Sequence, residues 1–293
     1  MKSAFFSVIG AGILWGCMGL FVRTLSGFGF SSLQIVFFRL VVAAICFLVM
    51  SCIKGIRCIK ISAKDIPLMF AMGFCGIMLM SVTYFLAITY SSLSLAAILL
   101  YTAPAFVLIA SVFLFKEKLN KIKIASLLLA LGGLIFVSGI FDGDANVTVS
   151  GIVWGLLSGI TYGSYSIFGT YALRKYQSFT CASMAFFFSA ASSVFFADIP
   201  DIVQKFSVCT DKITLILTVV LMGILSAFLP FMLYTYGLSK IGASKAVVIA
   251  SVEPMTATVL GTVIYHESLT VLTVVGIIMI LISVVLASLK KNV

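Results

Sequence analysis

Apolar residues follow one another along almost the whole chain, in runs about as long as a membrane crossing. A helix needs roughly 20 residues to cross about 30 Å of hydrocarbon. Charged residues and clusters of Gly, Ser and Asn separate the runs into segments close to that length. The pattern therefore predicts ten transmembrane helices. They lie near residues 3–22, 32–53, 66–88, 94–115, 122–140, 150–173, 179–198, 213–237, 245–265 and 269–289.

The composition supports this interpretation. Hydrophobic residues make up 62% of the 293 residues and charged residues only 10%, whereas about a quarter of a soluble domain is charged. In lipid every backbone polar group must find a partner inside the protein, which favours helices. The sequence therefore predicts an all-α integral membrane protein without a separate soluble domain.

The positive charges alternate along the chain in a way that fixes an orientation. With both termini in the cytoplasm, fifteen Lys and Arg residues fall in inner segments and three in outer ones, as the positive-inside rule requires. We expect a multi-pass protein of the cell membrane with cytoplasmic termini. Asp142, Asp144, Asp198, Asp201, Asp211 and Glu267 then face outward. The net charge of +10 is accounted for by this bias, so nucleic acid is not an expected partner.

The two halves of the chain resemble each other. A shift of 150 residues places Tyr84 on Tyr234 and Pro104 on Pro254, and a shift of 139 places residues 12–16 on 151–155. We expect two five-helix repeats, at 1–140 and 150–289. Because five is odd, the second repeat enters the membrane inverted, as in many alternating-access transporters.

Short motifs in a fixed order carry a family resemblance. They are Trp15-Gly16, Phe38-Arg39, a stretch from Tyr84 through Ser94 and Pro104 to Lys116-Glu117-Lys118-Leu119, and its counterpart from Tyr234 through Ser244 and Glu253-Pro254 to Glu267. The chain resembles the ten-helix EamA-type members of the drug/metabolite transporter superfamily over essentially its whole length. The resemblance implies transport of a small metabolite, often export. The chain departs from the pattern at His266-Glu267-Ser268, which lacks the basic residue of the first copy.

Two charged residues lie well inside the predicted spans, where a charge is costly unless it is paired, hydrated or useful. Glu253 lies about 12 Å along its helix from Lys245 and directly precedes Pro254, which leaves the carbonyl of Ala250 free. It is a candidate for cation or proton binding, or for a structural pair with Arg39 or with a hydroxyl group. Arg39 is a candidate for binding a substrate carboxylate or phosphate, or for a structural role at the outer half of its helix.

Other residues are candidates for the architecture of a transport pathway. Pro104 and Pro254 occupy matching positions and are candidate kinks or gates, or simply tolerated membrane prolines. Gly151, Gly155, Gly159 and Gly163 recur every four residues, which predicts close helix packing and a possible sliding surface.

Aromatic residues near the predicted midplane could line a cavity around the acid, or could instead pack in the core or against lipid. Aromatic faces suit an organic cation or an aromatic substrate. The candidates are Trp15, Tyr84, Tyr101, Trp154, Tyr162, Tyr165 and Tyr234.

The sequence thus predicts a secondary active transporter of an amine, amino acid or related compound, with protons as candidate coupling ions. The alternatives are a passive facilitator and a membrane-embedded enzyme, although catalytic motifs such as H-E-x-x-H and G-x-S-x-G are absent. No metal or cofactor is expected, because the seven cysteines form no C-x-x-C pair. The expected partners are the substrate and membrane lipid, for a monomer or a homodimer.

Overall fold

The structure is a computed structural model that describes residues 2–138, 140, 148–266 and 270–288. We label its long helical segments α1 to α10 in chain order, and several of them are interrupted. The first five are α1 (Lys2–Gly16 and Met18–Gly27), α2 (Ser32–Lys54), α3 (Ile66–Gly73, Phe74–Leu79 and Met80–Tyr90), α4 (Leu93–Leu100 and Ala103–Phe115) and α5 (Lys121–Val137). The others are α6 (Val149–Ala172), α7 (Ser178–Ser193), α8 (Lys212–Gly223, Ile224–Phe228 and Leu229–Ile241), α9 (Ala243–Ala250 and Val252–Tyr265) and α10 (Val271–Ser288).

Seven helices of the described chain are long and apolar enough to cross a membrane. They correspond to α1, α2, α3, α4, α7, α8 and α9. The segment α5 has only 17 residues, and α10 is counted among the shorter apolar helices. The segment α6 is longer, at 24 residues, but is rich in Gly, Ser and Tyr, which lower its hydropathy. The chain is thus a multi-pass, all-helical membrane protein over its described residues.

The ends of the helices follow local capping rules. Ser31 and Gln34 form a reciprocal capping box at the start of α2, and Asn120 and Thr148 cap α5 and α6. Lys116 and His266, which match under the 150-residue shift, both adopt left-handed backbone conformations after α4 and α9. Their φ angles of 54° and 56° show that the two halves end their fourth helices in the same way.

Most predicted helix bounds agree with the structure to within a few residues, but two kinds of feature were not predicted. A short helix, Ile199–Val208, lies in the loop between α7 and α8. Both α3 and α8 contain a π-helical segment, Phe74–Leu79 and Ile224–Phe228, at positions that match under the 150-residue shift. Some predictions fall outside the described residues. These concern Asp142, Asp144, Glu267, Ser268, residue 269 as the start of the tenth helix, residue 289 as its end, Lys290 and Lys291.

The helices of the two halves pack against each other in a reciprocal pattern. The segment α1 packs on α8 and α9, and its counterpart α6 packs on α3 and α4. In the same way α2 packs on α8 and α7 packs on α3, while α2 contacts α7 and α5 contacts α10. The main contacts made by helices of one half thus have equivalents in the other half.

Candidate functional site

The fourth helix of each half is broken close to its middle. The helix α4 stops at Leu100 and resumes at Ala103, and α9 stops at Ala250 and resumes at Val252. Pro104 and Pro254 lie in the first turn of the resumed helices, where a proline is tolerated because the N–H it lacks would have no helical partner. Both prolines therefore mark a complete break, and Pro254 does not kink a continuous helix.

The break in α9 places Glu253 in the first turn of the half-helix Val252–Tyr265. A helix N-terminus carries partial positive charge and is a favourable place for an acid. The hydroxyls of Tyr101, at the break in α4, and of Tyr162, on α6, lie near the Glu253 carboxyl group and are suited to donate hydrogen bonds to it. Both helix breaks therefore contribute to one polar cluster.

Arg39 and Tyr84 complete this cluster, because both interact electrostatically with Glu253. The tyrosines Tyr84, Tyr101 and Tyr162 and the acid itself keep partial exposure although protein surrounds them. These side chains are therefore not fully enclosed by protein atoms. The structure brings together residues from α2, α3, α4, α6 and α9, which belong to both halves.

Arg39 is an unusual buried cation. Arg39 is only 7% exposed, and its side-chain Nε has no hydrogen-bond partner. Its guanidinium carbon lies 5.9 Å from the centre of the Phe231 ring. No ion pair within 4 Å joins Arg39 to an acid of the described chain, so Glu253 acts on it only at longer range.

Trp15 supplies a second buried donor beside the same ring. Its indole Nε1 has no hydrogen-bond partner, and the residue is 5% exposed. The Trp15 ring centre lies 5.0 Å from that of Phe231 and 5.3 Å from that of Tyr234. Two orphaned N–H donors, from Trp15 and Arg39, thus flank Phe231. Sequence analysis did not select Phe231, although it lies one helical turn before Tyr234 on α8.

Tyr165 and Tyr234 lie in the core. The Tyr165 hydroxyl is 2.7 Å from Thr235 Oγ1, and the Tyr234 hydroxyl is 2.7 Å from Ser166 Oγ. Both tyrosines are at most 4% exposed. Their hydroxyls already have partners, so these residues join α6 to α8. Trp154 is half-buried on α6 and lies about 12 Å along the helix from Tyr162.

The glycines of α6 allow close packing along the broken helix α4. A Cβ atom at Gly159 would come within 2.8 Å of the Leu99 carbonyl oxygen and within 2.6 Å of Thr102 Oγ1. Gly151, Gly155 and Gly163 likewise face Ser91, Leu99 and Val107. On the other side of the site, Gly16 of α1 packs against the Glu253 carbonyl oxygen. Each helix break is thus held by glycines of a helix from the other half.

No group of three or more His, Cys, Asp and Glu side chains that could hold a metal ion occurs among the described residues. The arrangement around Glu253 instead presents one acid, one cation, tyrosine hydroxyls and the indole N–H of Trp15. Such a set is suited to a small molecule that carries charge and hydrogen-bonding groups.

The sequence was compared with known families and proteins. The profile described as the EamA-like transporter family matches residues 2–139 and again residues 149–289. The chain belongs to the EamA-like transporter family. The duplicated match covers nearly the whole chain, and this EamA-family protein is therefore a member of a family of membrane transporters.

Curated relatives of this EamA protein carry names of the same kind. An uncharacterized transporter of Archaeoglobus fulgidus is 28% identical over 79% of this chain and 81% of its own length. An uncharacterized transporter of Clostridium kluyveri is 25% identical over 85% of this chain and 81% of its own length. The uncharacterized inner membrane transporter YicL of Salmonella typhimurium is 20% identical over 99% of this chain and 97% of its own length.

A solved crystal structure shares the fold. It aligns with a TM-score of 0.78 over 98% of this chain and 97% of its own, at 16% sequence identity. At this identity the likeness establishes the architecture and leaves the substrate to be argued from the side chains.

Proposed function

We propose that this EamA-family protein is a secondary active transporter that moves a small zwitterionic metabolite by alternating access. An amino acid is the simplest such compound. One observation carries the proposal: Arg39 and Glu253 lie inside one cluster, and neither forms an ion pair within 4 Å in the described chain. Because an unpaired charge is expensive inside a membrane, a ligand that carries both charges would offset both costs.

The two ends of the cluster fit the two ends of a zwitterion. Glu253, with the hydroxyls of Tyr101 and Tyr162, is suited to an ammonium group, which also favours aromatic faces. The Nε of Arg39 and the Nε1 of Trp15 are donors without partners and are suited to a carboxylate. An amine would leave Arg39 without a counter-ion, and a simple acid would do the same to Glu253.

Alternating access is supported by the reciprocal packing of the two halves and by the broken helices α4 and α9. Discontinuous helices near the centre of two oppositely oriented repeats are typical of secondary transporters. We propose ten spans, with the short α5 and α10 and the less apolar α6 included, cytoplasmic termini, and an inverted second half. The positive-inside count and the match of α1–α5 to α6–α10 support this topology.

Contacts between the halves are suited to act as gates. At the end proposed to be cytoplasmic, Asp65 accepts hydrogen bonds from Lys175 and Tyr176, and Glu117 accepts one from Ser244. At the opposite end, the Gln34 side-chain amide donates to Asp201 over 2.7 Å. All residues of the cluster belong to a single chain. A monomer, or each protomer of a homodimer, would therefore contain the complete site.

Ligand-induced stabilisation tests the proposed substrate class, because a ligand that binds only the folded state raises its stability. The purified chain is screened with amino acids, and each hit is compared with its decarboxylated amine and its deaminated acid. We expect each analogue to bind at least tenfold more weakly than the amino acid. Arg39→Gln should remove the preference over the amine, and Glu253→Gln the preference over the acid.

The control for these variants is Arg174→Gln, because Arg174 packs on the rings of Phe115 and Tyr171 away from the cluster. It should keep both preferences. An amine that binds as tightly as its parent amino acid would remove the zwitterion from the proposal.

A passive facilitator is the alternative, and counterflow separates the two. Proteoliposomes preloaded with unlabelled hit compound should take up labelled compound faster than empty ones if the protein is a carrier. Equal uptake would favour an open pathway. The family and the named relatives are transporters, which favours either of these over an enzyme.

A further inference from the structure

A cavity lies at the junction of α4 and α5 with the beginning of α9 and the end of α10. Its volume is about 260 Å³. It is distinct from the cluster around Glu253, because Lys245, which lines it, lies eight residues earlier, or about 12 Å along α9. The transport mechanism proposed above involves only the Glu117–Ser244 contact at its lining, as a gate, and assigns the cavity no ligand.

The polar side of this cavity carries an excess of positive charge. Lys118, Lys123 and Lys245 line it together with a single acid, Glu117. That acid is already engaged, since Glu117 Oε2 lies 2.6 Å from Lys123 Nζ and 2.8 Å from Ser244 Oγ. Within the described chain, Lys118 and Lys245 form no ion pair within 4 Å. Two positive charges therefore remain without a counter-ion.

The opposite side of the cavity is apolar. Leu108 of α4, Ile122 of α5, Val248 of α9 and Leu286 of α10 form it. A small soluble anion would use the lysines but would leave this wall without a partner. A molecule with a negative head and a hydrocarbon chain would use both sides.

We propose that this cavity binds the phosphate group of an anionic membrane phospholipid. Lys245 and Lys118 contact the phosphate, and the beginning of an acyl chain lies on the wall formed by Leu108 and Val248. Basic pockets between transmembrane helices at the cytoplasmic side are suited to anionic headgroups. Since α4 and α5 belong to the first half and α9 to the second, the bound lipid bridges the two halves next to the Glu117–Ser244 hydrogen bond.

The test measures the thermal midpoint of the full chain in a neutral detergent during titration with short-chain lipids. Dioctanoyl phosphatidylglycerol should raise the midpoint saturably, and dioctanoyl phosphatidylcholine, which has no net charge, should raise it much less. Lys245→Gln should weaken the apparent affinity for phosphatidylglycerol about tenfold, because it removes a charge-assisted contact. The matched control is Lys60→Gln, since Lys60 is an exposed lysine outside the cavity.

Soluble glycerol 1-phosphate distinguishes a lipid headgroup from a free phosphate. Stabilisation by glycerol 1-phosphate equal to that by the lipid, and dependent on Lys245, would support the phosphate site and overturn the lipid as its source. Equal stabilisation by both lipids, or an equal effect of Lys60→Gln and Lys245→Gln, would overturn the proposal. If Lys245→Gln fails to fold, the exposed Lys118 provides the second variant, because Lys118→Gln should also weaken binding.

Discussion

Gly133 of α5 and Gly276 of α10 lie so close together that a Cβ atom at either position would collide with the backbone of the other. A Cβ atom at Gly133 would lie 2.7 Å from the Gly276 carbonyl oxygen, and one at Gly276 would lie 2.5 Å from that of Gly133. Because a backbone oxygen cannot move aside alone, either substitution must separate the two helices. The last helices of the two halves are thus joined at a point that requires glycine on both sides.

Gly133→Ala and Gly276→Ala should each destabilise the protein, by about 1–3 kcal/mol, as overpacking in a close contact does. The measurement is thermal unfolding in detergent. Gly19→Ala is the matched control, because a Cβ at Gly19 would meet nothing within 4 Å. In a helix this change should leave stability equal or slightly higher. A loss at Gly19 as large as at Gly133 would contradict the steric explanation.

Gly16→Ala should impair transport because it displaces the half-helix that follows the break in α9. A Cβ at Gly16 would come within 2.8 Å of the Glu253 carbonyl oxygen and 2.5 Å of Thr256 Cβ. The half-helix that carries Glu253 must then shift, and a displacement of the acid of a few tenths of an ångström weakens contacts that depend on geometry. We expect at least a tenfold lower initial rate of uptake into proteoliposomes. Gly19→Ala, three residues further along the chain, should keep the wild-type rate.

Tyr162→Phe and Tyr165→Phe should separate binding from stability. Tyr162 donates into the cluster, so its variant should bind substrate about five- to tenfold more weakly, which corresponds to about 1 kcal/mol for one hydrogen bond. Tyr165→Phe removes a buried hydroxyl from Thr235 and should mainly lower the thermal midpoint. Isothermal titration and thermal unfolding on both variants measure this. If Tyr165→Phe weakened binding more than Tyr162→Phe, the assignment of the two tyrosines would be reversed.

Glu253→Gln should abolish the pH dependence of transport while the protein still folds. The amide cannot exchange a proton, but it fills the same space and still accepts hydrogen bonds from Tyr101 and Tyr162. Flux is measured across a series of pH values with and without a pH gradient. Asp211→Asn, a change of an exposed acid that caps the start of α8 outside the cluster, should keep the dependence. Unchanged pH dependence in Glu253→Gln would remove protons as the coupling ion at this residue.

Asp201 should contribute an acid-sensitive part of the stability. Hydrogen bonds from Lys205 and then from Gln34 lower the pKa of Asp201 below its usual value. A carboxyl group with a lowered pKa in the folded state stabilises above its unfolded pKa, near 3.9, and this stabilisation is lost as pH falls through the folded pKa. Asp201→Asn should therefore lower the thermal midpoint slightly, by about 1 °C, at pH 7, because exposed pairs contribute little. The difference from wild type should vanish at the lowest pH that the fold survives. A difference that persists unchanged in acid would show that the carboxylate charge is not its cause.

Part of the candidate site could be predicted from the free-energy cost of placing a charge inside a membrane. Glu253 and Arg39 could be selected because a charge in a long apolar run is expensive, and the structure places both in one cluster. Pro104 and Pro254 were candidate kinks or gates, or tolerated membrane prolines, and the structure shows a helix break beside each. The long apolar runs likewise gave most helix bounds to within a few residues.

Other features could not be predicted from the hydropathy of the sequence. A π-helical segment such as Phe74–Leu79 adds one residue to a turn without changing composition, so only backbone geometry shows it. Tyr162 and Tyr165 are three residues apart on α6, and periodicity places them on similar faces, although Tyr162 is partly exposed and Tyr165 is buried in the core. The orphaned Nε1 of Trp15 depends on what α8 places beside it, which one sequence does not reveal.

Phe231 touches helices from both halves at once. Its ring lies against Trp15 of α1 and Arg39 of α2, and also against Tyr165 of α6 and Phe186 of α7. A substitution at this ring would disturb two donors and two core contacts together. Under the proposed binding mode, new substrate preferences are therefore easier to reach, in evolution or in the laboratory, by exchanging Trp15 or Arg39 than by altering the ring that supports them.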